Sequence, residues 1–215
     1  MPKDRRWTRQ KFVAGVDSAA EPRSSDLWLS RGLRAGADPT LAEVMRRGAV
    51  HLEGVFTASR LLRSLYFEVC SSVRDTWSRH QVVRNPGGVA LRVIAELQEL
   101  FQVTAVTSTR VDVSERGDFK PRHQDRNAHH ADAGNFTCGA SFFSSRVLAF
   151  APLDPPEAPD AFLFRQKSGD VFAFDDEVNK LFYHSVPADG RENGFRVSIV
   201  LWGTRDPALP LPHGA

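Results

Sequence analysis

This 215-residue sequence has little sulfur: two cysteines and two methionines. Cys70 and Cys138 form neither a CxxC pair nor a repeated spacing. That excludes a thiolate zinc finger and a disulfide-stapled scaffold, and it suits a reducing compartment. No stretch approaches the roughly 18 consecutive apolar residues of a membrane-crossing helix, so no membrane partner is expected. The opening MPKDRRWTRQK is charged with no apolar run behind it, which is not the pattern of a secretory leader. The formal net charge is only +2, too small to signal a nucleic-acid partner by itself. These absences predict an intracellular protein, cytoplasmic or nuclear. The short basic cluster Lys3-Asp-Arg-Arg6 does not choose between the two.

What is present is an ordinary globular composition, 41% hydrophobic and 25% charged, with fifteen phenylalanines against two tyrosines. A core of normal size with a rigid aromatic interior follows. Residues 1–45 are polar and irregular and read as an arm, with one short helix over Asp26–Arg34. Gly48–Phe56 alternates like a strand. Leu61, Leu62, Leu65, Phe67, Val69 and Val73 then predict a helix to Thr76, opened by Thr57 or Ser59. After the break Asn85-Pro-Gly-Gly88, a second helix spans Val89–Leu100, with Leu91, Ile94, Leu97 and Leu100 on one face.

From Val103 the pattern turns β-branched and alternating. Strands are predicted over Val103–Val113, Phe136–Phe143, Arg146–Ala151, Ala161–Arg165, Asp170–Phe174, Leu181–Val186 and Gly194–Trp202. Leu153–Asp160 reads as a hairpin loop. Helices over 57–100 followed by strands over 103–203 predict an α+β fold, a jelly roll backed by a helical layer. The expected organisation is one domain over 46–205 with a tail at 206–215.

The chemistry concentrates in three short stretches. His123-Gln-Asp125 puts an imidazole and a carboxylate on one side of an extended chain. His184 stands alone on a later apolar strand, and Arg196-Val-Ser198 follows. Two histidines and one carboxylate bind a divalent iron on one face and leave positions open opposite. An arginine with a hydroxyl at i+2 on one strand face matches a carboxylate's acceptors. The competing readings are a surface pair at 123 and 125 with a core histidine at 184, and an internal ion pair for Arg196. His129 and His130 are alternative ligands by type, but their loop is polar and they read as surface or substrate-facing groups. Asn179 and Tyr183 are candidates to orient the imidazoles. Arg122, Arg126, His129, His130 and Lys167 would make a basic mouth if they lined the site. Phe142, Phe143 and Trp202 would stack a flat ring if they were not core.

In this combination the chain resembles the iron(II)/2-oxoglutarate dioxygenase superfamily over about residues 103–203, with the AlkB-like branch or an uncharacterised relative the nearest in look. Three stretches carry the resemblance: Arg116–Asp125, Gly169–His184 and Gly194–Trp202. It implies a double-stranded β-helix and His123, Asp125 and His184 as iron ligands. It also implies 2-oxoglutarate held by Arg196 and Ser198, and O2 as second co-substrate. Two features depart from the nucleic-acid dealkylases. Their second arginine, six positions after the first, is here Trp202, and the Asn and Tyr expected before HxD have Asp112 and Ser114 as their nearest counterparts. Three functions follow as expectations: oxidation of a modified nucleobase or nucleic acid; the same chemistry, releasing succinate and CO2, on a protein side chain or small metabolite; and a metal-binding jelly roll without turnover. Substrate and oligomeric state are not legible.

Overall fold

The computed structural model describes residues 38–72, 81–115, 117–188 and 194–212. Four helices are seen among them: α1 (Pro39–Gly48), α2 (Ser59–Ser72), α3 (Gly88–Leu100) and the short α4 (Asp176–Leu181). The strands are β1 (Ala49–Leu52), β2 (Gln81–Val82), β3 (Ala105–Ser114), β4 (Lys120–His123), β5 (Phe136–Phe143), β6 (Arg146–Pro152), β7 (Phe162–Gln166), β8 (Val171–Asp175), β9 (Phe182–Val186) and β10 (Arg196–Thr204). They form two antiparallel sheets, ordered β1-β8-β5-β10-β3-β2 and β4-β9-β6-β7. This is the jelly roll with a helical layer that the sequence predicts.

Alternation along β10 separates two hydrophobic layers. Val197, Ile199 and Leu201 pack with Val93 and Leu97 of α3, on the side covered by helices. Val200 and Trp202 point the other way, into an inter-sheet layer of Phe150, Phe164, Phe172, Phe174 and Phe182. Phe150 lies at the centre of that layer, with three phenylalanine rings edge-on to it at 5.6–6.4 Å. Gly139 on β5 lets Phe172 lie flat on the sheet, because a Cβ there would sit 2.8 Å from the ring.

The helices start where their ends are satisfied. Asp38 accepts from Thr40 N at 2.7 Å with Pro39 following, a strong N-terminal signal. α3 has glycine at its cap and borrows a carboxylate from α2: Glu68 accepts from Val89 N at 2.7 Å and Ala90 N at 3.0 Å.

Several sequence expectations are corrected here. Residues 39–45, read as part of a polar arm, are helical in α1 and bury Val44 and Met45. The apolar face of α3 is Ala90, Val93, Ile94 and Leu97, while Leu91 is 51% exposed. On α2, Leu65 and Val69 are buried but Phe67 is 63% exposed. The strand predicted over Gly48–Phe56 stops at Leu52 in a turn. The beginning of the tail is packed, with Leu211 buried and Arg205 donating to the carbonyls of Phe101, Leu209 and Pro210. The predicted helix at Asp26–Arg34 lies outside the described residues, as do residues 73–76 of the α2 expectation. No helix among the described residues is long and apolar enough to cross a membrane.

Asp175 caps α4 by accepting from Val178 N at 2.9 Å. Burial and the neighbouring charges of Glu177 and Asp176 push its carboxyl up to about 6 from 3.8. Ionised Asp175 therefore costs stability as pH rises from 3.8 through 6. Asp175→Asn keeps the cap and removes the charge. It should stabilise the protein by about 1–2 kcal/mol above pH 7. In urea unfolding that gain should fade to nothing below pH 4.

Candidate metal centre

β4 and β9 pair so that His123 lies directly across from His184, their ring centroids 4.2 Å apart. The chain continues extended past β4, and Asp125 (φ −71°, ψ 156°) opens a single 3-10 turn over Arg126–Ala128. Its carboxylate turns back toward both imidazoles: Oδ1 lies 3.5 Å from His184 Nε2 and 3.8 Å from His123 Nε2. One donor atom from each residue falls within 4.8 Å of the others, and no other such group of three is found among the described residues.

The tautomers suit a metal. His123 Nδ1 lies 2.9 Å from the Pro121 carbonyl, which only accepts, so the proton sits on Nδ1 and Nε2 keeps its lone pair. That Nε2 is buried with no hydrogen-bond partner, and so is His184 Nδ1. Burial and the nearby His184 and Lys120 charges push His123 down to about 4, so it is neutral at pH 7. Burial opposes ionisation of Asp125, but His184 outweighs it, with help from Trp202 and Lys120. Its carboxyl therefore stays well below the usual carboxylate range. Two imidazoles, that of His123 neutral with an unpartnered Nε2, and an ionised carboxylate fit a first-row divalent ion such as iron(II).

Support for Asp125 comes from three directions. Thr137 Oγ1 donates to its Oδ2 at 3.1 Å, leaving Oδ1 for the histidines. Asn179, buried on α4, grips its backbone: Asp125 N donates to Asn179 Oδ1 at 2.9 Å and Asn179 Nδ2 donates to Asp125 O at 3.1 Å. Asn179 thus orients the carboxylate's backbone, not an imidazole as the sequence suggested. The Trp202 indole N–H lowers the charge's energy as a nearby dipole, without closing a hydrogen bond. Tyr183, the other orienting candidate, alternates away from His184 on β9.

The triad opens into a cleft between the sheets. Leu148, Phe172, Val186 and Val200 form apolar walls. Arg196 and Ser198 line the same cleft. Arg196 is buried and donates Nε to Ser141 Oγ at 3.0 Å and Nη2 to Gln166 Oε1 at 3.2 Å. Among the described residues no carboxylate lies within ion-pair distance of it, so the internal ion pair is not seen. Burial and the charge of Arg146 push Arg196 down to about 10, still cationic at neutral pH. Asp112 and Ser114, noted in sequence as departures, both line this cleft.

Arg146, Gln166, Thr137 and Lys120 also line the cleft, and sequence reading missed all four. A polar residue inside a buried strand was the available signal: Arg146 opens β6 and Gln166 closes β7, directly paired. The basic mouth is corrected. Arg122 pairs with Asp160 at 2.9 Å, while Arg126 lies 3.4 Å from Asp132 and Lys167 3.4 Å from Glu53; none of the three lines the cleft. His129 and His130 are exposed and lie outside the triad. Phe142 packs in the helix-side core, Phe143 meets Tyr66 and Phe195, and Trp202 faces the cleft.

No family model matches the sequence. No curated protein matches it either. Among solved structures, the chain is similar to OsALKBH1 at a TM-score of 0.48 and 12% identity, over 73% of this chain and 98% of that one. It is also similar to a Pseudomonas putida prolyl-4-hydroxylase at a TM-score of 0.48 and 15% identity, over 78% of this chain and 100% of that one. Likenesses this distant assign no family.

Thr137→Val keeps the side chain's shape and removes the hydroxyl that holds Asp125 Oδ2. It should weaken divalent-metal affinity by roughly 10-fold or more. Chelator competition reads this directly, and an unchanged affinity would show that the hydroxyl does not set the carboxylate.

Proposed function

We propose that this protein is an iron(II)- and 2-oxoglutarate-dependent oxygenase, with His123, Asp125 and His184 holding the metal and Arg196 and Ser198 taking the distal carboxylate of the keto acid. The observation that carries the reading is that one cleft joins both sets. The ligand triad stands in the same cleft as a buried guanidinium whose protein partners are neutral. A buried cation with no carboxylate hydrogen-bonded to it, and only the charge of Asp112 nearby to offset it, is costly and suits an anion from outside. Iron(II) bound there supplies oxygen activation coupled to decarboxylation of the keto acid, yielding succinate, CO2 and a hydroxylated product.

The chain's own residues do the rest. Thr137 and Asn179 keep Asp125 aimed at the triad. Arg196 and Ser198 orient the keto acid along the cleft, and the apolar walls exclude water from the reacting end. The open mouth, where Phe119 is 60% exposed, is the route for substrate.

For the substrate, Arg122, Arg126 and Lys167 lie outside the cleft lining and each has an acid beside it, so these three supply no basic rim for phosphates. Trp202 occupies the position of the dealkylases' second arginine. These observations favour a protein side chain or small metabolite over an AlkB-like action on nucleic acid.

Succinate release from 2-oxoglutarate should require iron(II) and rise with the right substrate. A screen across peptides, metabolites and methylated oligonucleotides would identify that class. Arg196→Lys should raise the KM for 2-oxoglutarate by about 10-fold or more, since a point charge replaces a fork. Iron binding without any succinate would favour a non-catalytic metal protein instead.

A further inference from the structure

Gln166 closes β7 and is 1% exposed, yet its side chain lines the cleft. Its oxygen accepts from Arg196 Nη2 at 3.2 Å. A guanidinium only donates, so the amide orientation is settled: the oxygen must face Arg196. The other end of the amide, Nε2, is then a buried donor, and it has no hydrogen-bond partner. Buried amide donors are rarely left unmet, and one that lines a ligand cleft points to a ligand acceptor. The donor is also held firmly. β7 pairs with β6 so that Gln166 lies opposite the fully buried Arg146, and Arg196 is itself tied to Ser141.

We infer that Gln166 is a specificity residue for the co-substrate, donating its amide N–H to the distal carboxylate that Arg196 and Ser198 receive. This rests on the reading of the cleft given under Proposed function and adds a donor that the RxS pattern does not contain. Three donors then converge from two sheets: the guanidinium and the Ser198 hydroxyl from β10 and the amide from β7. A keto acid that ends in a methyl group would leave the amide unmet. Gln166 therefore selects for a dicarboxylate and contributes nothing to a monocarboxylate.

The test is equilibrium binding by calorimetry to the full-length protein loaded with Mn(II) under anaerobic conditions. The two probes are 2-oxoglutarate and 2-oxobutanoate, which lacks the distal carboxylate. Gln166→Leu should weaken 2-oxoglutarate binding by about 10-fold and leave 2-oxobutanoate binding and Mn(II) affinity unchanged. Gln166→Glu should weaken 2-oxoglutarate binding further, because a carboxylate would occupy Arg196 and repel the incoming one. If Gln166→Leu fails to fold, Gln166→Met is read in its place with the same expectation. Equal losses for both keto acids, or no loss for either, would overturn the assignment of Gln166. A wild-type protein that binds Mn(II) but not 2-oxoglutarate would overturn the co-substrate reading itself, and this inference with it.

Discussion

The placement of β10 between β3 and β5 is the constraint on which the rest depends. From Arg196 to Trp202 it pairs in regular register with both neighbours, so its alternation is locked from two sides. One set of side chains meets the helices and closes the main core. The other set, Arg196, Ser198, Val200 and Trp202, forms one wall of the cleft. A one-residue slip in either ladder would turn the guanidinium into the helical core and an isoleucine or valine into the site.

The second sheet supplies what β10 cannot. His123 and His184 sit opposite one another on β4 and β9, while Asp125 lies just beyond the ladder and is held from elsewhere. Its backbone is clamped by a helix residue and its outer oxygen by a hydroxyl of the larger sheet. Asp125 is thus held by two elements outside its own segment, α4 and β5, whereas the histidines are placed by the strand ladder β4-β9-β6. This division makes chemical sense. Imidazoles need only a position and a tautomer, but a buried carboxylate left unpaired would be costly and must be satisfied on the side away from the metal.

Charge organises the interior along the same axis. The triad's carboxylate and the buried cations Arg196 and Arg146 line one cleft, where Lys120 acts on Asp125 and Asp112 on Arg196. Arg122, Arg126 and Lys167 at the surface behave differently. Each is tied to a nearby acid, at the distances typical of exposed pairs that contribute little energy. Their presence in a sequence therefore says little about what the mouth of the site attracts.

Much of this was legible in the sequence. Short β-branched and aromatic runs after Val103, bounded by Gly, Pro, Asp and Ser, located nearly every core strand within two residues, because strands such as β5, β8 and β10 are buried on both faces. The HxD, the later histidine and the RxS motif were recognisable because their chemistry demands particular residue types at particular spacings. Other features were not legible, for one reason: they depend on which strand lies beside which. Gln166 and Arg146 are unremarkable polar residues until β6 and β7 pair and turn them inward. Thr137 becomes a metal-site residue only when β5 comes under Asp125. α1 was hidden because its apolar face is narrow, with only the side chains of Val44 and Met45 buried in a polar segment. The residue types able to hold a metal and an acid were written in the chain. Their convergence on one cleft, and the second circle of groups that aims them, came from long-range strand pairing, which local periodicity does not encode.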